Sequence, residues 1–307
     1  MRVRLLDLDG SLPTQPVLAA ALDTGWGQRI HLREQSDDLR LWARPMAMQR
    51  ARATLAAAGE PPGHGLIVNF LGSGDYHHLA VLLIEAEREP VTVLHFDNHP
   101  DWVRFAPEFH CGSWINQVLA MPHVYRVITV GPCSDDLSLP QLKGGNLAAL
   151  ADGHLELHPW RHAPSFVFGK VEPGPSGRRI GRRIHWNCVG DDFSGFLSRL
   201  ASQILTESVW LSIDKDVLRP ADALTNWDQG EMPLAALTAA LGIIARQYRI
   251  VGVDICGDYS PIHHKALAKR WEAWTDQPRG RRYSPDELAL NPRANAALLD
   301  TLRGAGA

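Results

Sequence analysis

The residues best suited to chemistry stand in one short segment, Asp97-Asn-His99-Pro-Asp101, which follows the apolar run of residues 92–96. Such a run is typical of a buried parallel strand, and ligands of open α/β sheets bind at the carboxyl ends of these strands. Two carboxylates and an imidazole offer hard oxygen ligands and one nitrogen, a set that suits a divalent cation such as manganese. The alternative is a turn whose side chains cap a neighbouring helix, so the interpretation depends on partners elsewhere.

Three further segments place polar side chains at the ends of predicted apolar strands. They contain Asp75-Tyr76-His77-His78, Asp214-x-Asp216, and Asp254 with Asp258. In a parallel sheet these strand ends lie along one edge, so the clusters can converge. Buried carboxylates at this density repel one another unless cations neutralise them. The sequence therefore predicts a metal site with more than one ion.

The alternation of strands and helices predicts the fold class. Strands are predicted within residues 2–8, 66–70, 92–102, 124–130, 208–218 and 248–255, and shorter ones at 155–160, 165–168 and 184–189. Helices are predicted near residues 45–58, 78–88, 195–205, 233–247 and 285–303. Near-continuous apolar strands separated by helices indicate an α/β protein whose parallel sheet is covered on both faces. No repeat or linker divides the chain, so we expect residues 1–307 to form a single domain.

Composition limits the class of protein and of partner. Of 307 residues, 45% are hydrophobic and 21% are charged, which allows a large core and disfavours disorder. The formal net charge of -3 predicts neither a nucleic-acid nor an anionic-membrane partner. Four cysteines without a CxxC pair indicate a reducing compartment rather than a disulfide framework or a thiolate zinc site. We expect a soluble, cytoplasmic protein that acts on a small molecule, and the sequence leaves a homo-oligomer open.

A second acidic motif lies near the start of the chain. Asp7-Leu-Asp9-Gly-Ser-Leu resembles the first motif of haloacid-dehalogenase phosphatases, in which two aspartates lie beside a magnesium ion. The downstream lysine and the paired acidic motif of that family have no convincing counterparts in this chain. We therefore predict that Asp7 and Asp9 are structural residues of a strand that ends in an Asp-Gly turn.

Taken together, the metal-site motifs resemble those of the arginase/agmatinase (ureohydrolase) family, which shares a fold with the histone deacetylases. The family motifs are Gly-Gly-Asp-His, Asp-Ala-His-x-Asp, a nearby His-Gly segment and Ser-x-Asp-x-Asp-x-x-Asp-Pro. Their counterparts in this chain are residues 72–78, 97–101, 110–114 and 212–220, and residues 251–261 resemble the strand end that supplies the family's substrate-binding acid. Five motifs in the same order imply a divergent member with a three-layer αβα sandwich around a mainly parallel sheet.

The resemblance also implies a binuclear manganese site and a role for each of its residues. One ion would take His77, Asp97, Asp101 and Asp214, and the other His99, Asp97, Asp214 and Asp216, with Asp97 and Asp214 bridging. A hydroxide that bridges the two ions would attack a guanidinium or amide carbon. Asp101 would orient the hydroxide, His110 would pass a proton to the leaving nitrogen, and Asp258 would hold the cationic part of the substrate.

Two departures from the family motifs leave residues of the site open. The extra Tyr76 leaves either His77 or His78 as the metal ligand, and the order of the motif favours His77. Asp258 matches the substrate-binding acid only after a shift of one residue, so Asp254 is an alternative. Either of these two aspartates could instead be structural.

Other departures concern the substrate. Arg219 replaces an aspartate of the family motif, and residues 102–109 lack the Asn/Ser pattern with which arginase recognises an amino acid, so we do not expect arginine as substrate. Residues 224–230 are polar and aromatic, and they form either a pocket wall or a solvated loop. Two other functions stay open, a deacetylase-like single-zinc amidohydrolase and a non-catalytic binding protein of the same fold. Retention of Asp214 and Asp216 favours two metals over one.

Overall fold

The centre of the molecule is a parallel sheet of eight strands, seen in a computed structural model that describes residues 1–61, 64–104, 109–261, 264–276 and 283–305. The strands, in chain order, are β1 (Arg2–Asp7), β2 (Gly27–His31), β3 (Trp42–Ala43), β4 (Ile67–Phe70), β5 (Val91–Phe96), β6 (Phe109–His110), β7 (Val124–Val130), β8 (Leu155–His158), β9 (Ser165–Phe166), β10 (Gly177–Ile180), β11 (Arg183–Trp186), β12 (Ser208–Asp214) and β13 (Arg249–Cys256). The order in the main sheet is β2-β1-β4-β13-β12-β5-β7-β8, and each neighbouring pair is parallel. Strands β3 and β6 form a separate antiparallel pair, and β10, β11 and β9 form a small antiparallel sheet.

Helices cover both faces of the main sheet. In chain order they are α1 (Pro16–Asp23), α2 (Ser36–Leu39), α3 (Pro45–Ala58), α4 (Ala80–Ile84), α5 (Ile115–Leu119), α6 (Leu147–Asp152), α7 (Phe193–Gln203), α8 (Leu234–Gln247), α9 (Leu267–Asp276), α10 (Pro285–Leu288) and α11 (Leu290–Ala305). Helices α3 to α6 pack with Val91 and Val93 of β5, whereas α1, α7, α8 and α11 pack with Leu94 and Phe96 of the same strand. This division follows from the alternation of side chains along a strand, and it places the sheet between two apolar layers.

The predicted α/β class and three-layer αβα arrangement are confirmed, because the central strands β5 and β12 of the parallel sheet are fully buried between the two helical layers. The helix predicted near residues 78–88 is shorter, since a 3₁₀ turn over Gly74–Leu79 precedes α4 and the helix ends at Ile84. The helix predicted near residues 285–303 is divided into α10 and α11. Within the described residues, no helix has the length and apolar character needed to cross a membrane.

Strands β4, β13, β12 and β5 are adjacent in the middle of the sheet. They are the four strands that carry the predicted polar clusters at their carboxyl ends, so the parallel topology brings those clusters to one edge. The register pairs Asp214 of β12 with Cys256 of β13, and Ser212 with Asp254. The fold therefore determines which chemical groups meet.

At the end of β1, Asp7 of the acidic motif forms ion pairs with two arginines. Asp7 is buried, and its Oδ2 accepts hydrogen bonds from Arg29 Nε at 2.9 Å and Arg33 Nε at 2.8 Å. Burial opposes ionisation, but hydrogen bonds from Arg33 and Arg29 outweigh it and hold the pKa of Asp7 below its ordinary value. Asp9 accepts hydrogen bonds from Ser11 in the following turn. These contacts support the predicted structural role of both aspartates.

Replacing Asp7 tests that role. Asp7→Asn should lower the free energy of unfolding by about 1.5–3 kcal/mol, the scale of hydrogen bonds to a charged group, because two arginines lose their buried acceptor. Asp38→Asn is the matched control, since the Asp38–Arg50 pair is exposed and should contribute little. Chemical denaturation measures both values. Phosphatase activity in the wild type that disappears in Asp7→Asn would contradict the structural assignment.

Candidate metal centre

A first group of candidate ligands surrounds Nδ1 of His77, at the end of β4. This atom lies 3.1 Å from Asp97 Oδ2, 3.3 Å from Asp101 Oδ2 and 3.7 Å from Asp214 Oδ2, and all four side chains are buried. No acceptor is aligned for a hydrogen bond with Nδ1. A buried ring nitrogen without a hydrogen-bond partner, facing three carboxylates, is the arrangement expected of a metal ligand.

The other ring nitrogen of His77 explains why Nδ1 faces the carboxylates. His77 Nε2 is 2.9 Å from Ser212 Oγ, and Ser212 Oγ donates to Asp254 Oδ1 at 2.7 Å. Because the hydroxyl gives its proton to Asp254, it accepts from Nε2–H, and the neutral ring keeps its lone pair on Nδ1. Asp254 therefore lies behind the metal centre and orients His77 through Ser212.

A second group of candidate ligands lies around His99. Its Nδ1 is 2.9 Å from Asp216 Oδ2 and 3.5 Å from Asp97 Oδ1, and its Nε2 is 2.9 Å from Asp228 Oδ1. The two oxygens of Asp97 thus face different groups, Oδ2 towards His77 and Oδ1 towards His99. Asp97 therefore lies between the two groups, and its bridging role stays a prediction.

The structure places Asp214 closer to the first group than to the second. Its Oδ2 approaches His77 Nδ1, while its Oδ1 accepts a hydrogen bond from the backbone N–H of Asp216 at 2.9 Å. Its predicted bridging role therefore stays a prediction. A side chain at Gly74 would collide with this carboxylate, since a Cβ there would lie 2.5 Å from Asp214 Oδ2. Glycine is thus needed where the 3₁₀ turn passes the centre.

The shifted pKa values of the aspartate and histidine side chains show how strongly these side chains interact. Burial, and then the negative charge of Asp97, raises the pKa of Asp101 to about 7. Burial and the charge of Asp214 raise the pKa of Asp216 well above its ordinary value. Burial lowers the pKa of His77, but the carboxylates of Asp101 and Asp97 outweigh it and raise that pKa well above its ordinary value. The centre is a region of strong negative potential, which favours binding of divalent cations.

Two residues of this centre were missed by the sequence prediction. His95 is buried within β5, with Nε2 2.9 Å from Asp97 Oδ2 and Nδ1 3.0 Å from Thr129 Oγ1. Trp114 donates its indole N–H to Asp101 Oδ2 at 2.6 Å. The signal for His95 was available, because a residue two positions before Asp97 in an extended strand lies on the same side of the sheet. No local sequence pattern predicts a role for Trp114, which is the residue before α5.

Asp101 itself has an unusual backbone. Its φ is +48°, in the left-handed region that residues other than glycine seldom adopt. Aspartate and asparagine tolerate this conformation better than most residues. The bend turns the chain away from β5 and keeps the Asp101 carboxylate beside His77 and Trp114.

A cavity of about 360 Å³ opens onto both groups of candidate ligands. It is lined by Gly74, His77, Asp97, His99, Asp101, Val103, His110, Cys111, Gly112, Asp136, Lys143, Asp214, Asp216 and Trp227. The six predicted metal ligands and His110 therefore share one cavity. Trp227 is the contribution of the loop over residues 224–230, and it is held by a 2.9 Å hydrogen bond from its indole N–H to Asp75 Oδ1.

His110 reaches the cavity from β6, whose backbone pairs with β3. The backbone N–H of Gly112 donates to His110 Nδ1 at 2.8 Å. The residue therefore does cap the turn before Gly112, and it lines the cavity as well. With Nδ1 acting as an acceptor, the neutral ring carries its proton on Nε2.

Other predicted residues lie outside the cavity lining. Asp258 is buried in an ion pair with Lys215 Nζ at 2.8 Å and accepts a hydrogen bond from Gln15 Nε2 at 2.8 Å. His78 is buried without a hydrogen-bond partner for either ring nitrogen, and it belongs to neither group of candidate ligands. Arg219 pairs with Asp222 at 2.8 Å on the surface. The structure brings His77, not His78, to the carboxylates.

Comparisons with known proteins support the fold. No family model matches the chain. A protein of Thermotoga maritima, described only as uncharacterized, is 25% identical over 260 residues, which are 85% of this chain and 81% of that protein.

Proclavaminate amidino hydrolase from Streptomyces clavuligerus superposes with a TM-score of 0.59 at 14% identity, over 99% of this chain and 92% of that chain. Entamoeba histolytica arginase in complex with L-ornithine gives 0.58 at 13% identity, over 99% and 98%. Formimidoylglutamase from Bacillus subtilis gives 0.57 at 14% identity, over 99% and 86%. The fold that the motifs implied is confirmed by these structures.

Comparing variants of the adjacent residues His77 and His78 tests directly whether the first group binds a metal ion. His77→Ala should reduce bound divalent metal from about two ions per chain to about one, because His77 belongs to the first group only. His78→Ala is the matched control, equally buried and one residue away, and it should keep both ions. Elemental analysis after dialysis against manganese measures the content. Loss of metal in His78→Ala but not in His77→Ala would reverse the assignment.

Proposed function

We propose that this chain, which has the arginase-like αβα fold, is a metal-dependent hydrolase of C–N bonds in a guanidino or amide small molecule. The main observation for the proposal is that two groups of aspartate and histidine side chains, one around His77 and one around His99, share Asp97 and line one cavity. Two groups favour two ions over the single zinc of a deacetylase-like enzyme. We further propose that residues 1–307 form one domain and that the protein acts in the cytoplasm.

The residues present fit two divalent cations. His77, Asp101 and Asp214 would hold one ion, His99 and Asp216 the other, and Asp97 both. The donor set is mostly carboxylate oxygen, which suits manganese, and the orphaned Nδ1 of His77 supports a ligand role for that residue. When bound, such a pair of ions supplies a nucleophile from water at neutral pH and polarises the bond to be broken.

Asp101 would orient the attacking water. Trp114 donates to Asp101 Oδ2, so this oxygen is held in place, and the left-handed backbone fixes the direction of the side chain. The residue can therefore orient a water molecule at the centre.

His110 would supply the proton that the leaving nitrogen needs. The form that donates is the imidazolium, which carries a proton on each ring nitrogen in a residue that lines the cavity. Protonation of Nδ1 would require its hydrogen bond from the Gly112 N–H to open. Departure of a neutral amine or ammonia requires this proton, because an amide anion is a poor leaving group. Uptake of a proton from solvent by His110 would complete the cycle.

The predicted contact of Asp258 with the substrate stays a prediction, and it would require the buried ion pair with Lys215 to open. The cavity itself carries charged groups farther from the metal ligands, Asp136 and Lys143. Lys143 Nζ donates to Asp135 Oδ2 at 2.6 Å in an ion pair whose carboxylate is exposed. A small substrate with polar groups at its far end fits this lining.

The proposal is tested by loading the protein with manganese and supplying a panel of guanidino and N-acyl or N-formimidoyl compounds. We expect release of urea, ammonia or an amine from at least one member. Asp97→Asn should abolish turnover and lose both ions, because Asp97 faces both groups. Asp300→Asn, in an exposed ion pair with Arg303, should retain both properties. Two bound ions without hydrolysis of any member would instead favour the non-catalytic alternative.

Loss of His110 should separate proton transfer from metal binding. His110→Ala should lower kcat by about 10²–10⁴-fold, the usual worth of general acid–base catalysis, and keep both ions. His185→Ala, at an exposed position in β11, is the control. Rate, metal content and melting temperature are measured on one preparation. An unchanged rate with both metals bound would limit His110 to its turn-capping role.

A further inference from the structure

A buried thiol lies beside the first group of candidate ligands. Cys256 is the last residue of β13 and has no solvent exposure. Its Sγ is 3.1 Å from Asp214 Oδ2, which is itself 3.7 Å from His77 Nδ1. The thiol, a ring nitrogen of His77 and a carboxylate oxygen of Asp214 all lie within 4.8 Å of one another.

The position of this sulfur is fixed by the sheet and not by a mobile loop. Asp214 and Cys256 are direct partners across β12 and β13, so neighbouring strand ends present the carboxylate and the thiol together. Nδ1 of His77, buried and without a hydrogen-bond partner, faces the same region from the 3₁₀ turn that follows β4. Two adjacent strands and this turn therefore bring one sulfur, one oxygen and one nitrogen together.

A sulfur ligand changes which metal a site prefers. Carboxylate oxygens suit manganese, whereas a cysteine thiolate selects zinc and other thiophilic ions. Zinc takes sulfur at about 2.3 Å and histidine nitrogen at about 2.0–2.1 Å. The three donor atoms lie within 4.8 Å of one another, so one ion could contact all three after they move closer together. The second group, around His99 and Asp216, contains no sulfur.

We propose that Cys256 is a ligand of the ion held by His77 and Asp214, and that it makes this position bind a thiophilic divalent cation. The inference rests on the proposed metal-dependent function and deepens it, because the two positions then differ in metal preference. Zinc or another thiophilic ion would occupy the first position, and manganese would remain suited to the second. The thiol proton is released to solvent when the metal–sulfur bond forms.

The competing interpretation is that Cys256 only donates its S–H to Asp214 and holds that carboxylate in place. Under that interpretation Cys256→Ser, whose hydroxyl is also a donor, would weaken binding of manganese and of cadmium to the same extent. If the sulfur is a ligand, the variant loses cadmium binding selectively. Cadmium is the probe because its bond to a thiolate gives a charge-transfer absorption in the ultraviolet.

The experiment titrates the full chain with cadmium and, separately, with manganese. The wild type and Cys111→Ser should both show the charge-transfer band, and Cys111 is the matched control because it is the thiol that lines the same cavity. Cys256→Ser should lack the band, and its affinity for cadmium should fall by about tenfold or more while that for manganese changes little. Cys256→Ala gives a second variant if the serine protein does not fold.

Cadmium NMR of the wild type adds a measurement that needs no variant, since thiolate ligation moves the metal resonance far downfield of an all-oxygen-and-nitrogen site. A wild type that binds cadmium without the band and without the downfield resonance would overturn the role of Cys256 and leave the proposed function intact. Binding of neither metal would instead overturn the proposed function itself. A band that disappears in Cys111→Ser would overturn the inference, because it would assign the sulfur ligand to Cys111.

Discussion

Mutual repulsion among buried carboxylates is the constraint on which the rest of this structure depends. Asp97, Asp101, Asp214 and Asp216 are all buried at one edge of the sheet, and burial of an ionised carboxylate without compensation is costly. Backbone N–H groups provide part of the compensation: Asn98 donates to Asp216 Oδ1 at 3.0 Å, and His99 to Asp97 Oδ1 at 2.6 Å. The raised pKa values of Asp101, Asp214 and Asp216 show that this compensation is incomplete, which is the physical reason to expect cations.

The main features of the fold and the site follow from short-range patterns in the sequence. The apolar runs before Asp97 and Asp214 predict buried parallel strands, and their parallel direction places both aspartates at one edge. The order of the motifs also favours His77 over His78, and the structure brings His77 Nδ1 to the carboxylates. The alternation of side chains along a strand could also have predicted His95 as a residue of the site, because it precedes Asp97 by two residues.

Features that depend on packing between distant segments could not be predicted in this way. The indole of Trp114, the residue before α5, donates to Asp101, and no spacing in the sequence predicts that contact. Cys256 joins Asp214 only through the order and register of strands β12 and β13. Asp258 was expected at the substrate, but its ion pair partner Lys215 lies between two metal-ligand candidates, where nothing in the sequence marks it as buried.

The ion pair between Lys215 and Asp258 also has a consequence for how the protein is made. Lys215 Nζ donates to Asn295 Oδ1 at 2.8 Å, and Asn295 Nδ2 donates to Gln15 Oε1 at 2.8 Å, so α11 supports the loop between Asp214 and Asp216 from behind. Synthesis proceeds from the amino terminus, and α11 is the last helix of the described chain to leave the ribosome. A nascent chain that already has all its candidate ligands still lacks this support. The hydrogen bond from Lys215 to Asn295 can therefore form only after α11 has been translated, later than the strands that carry the candidate ligands.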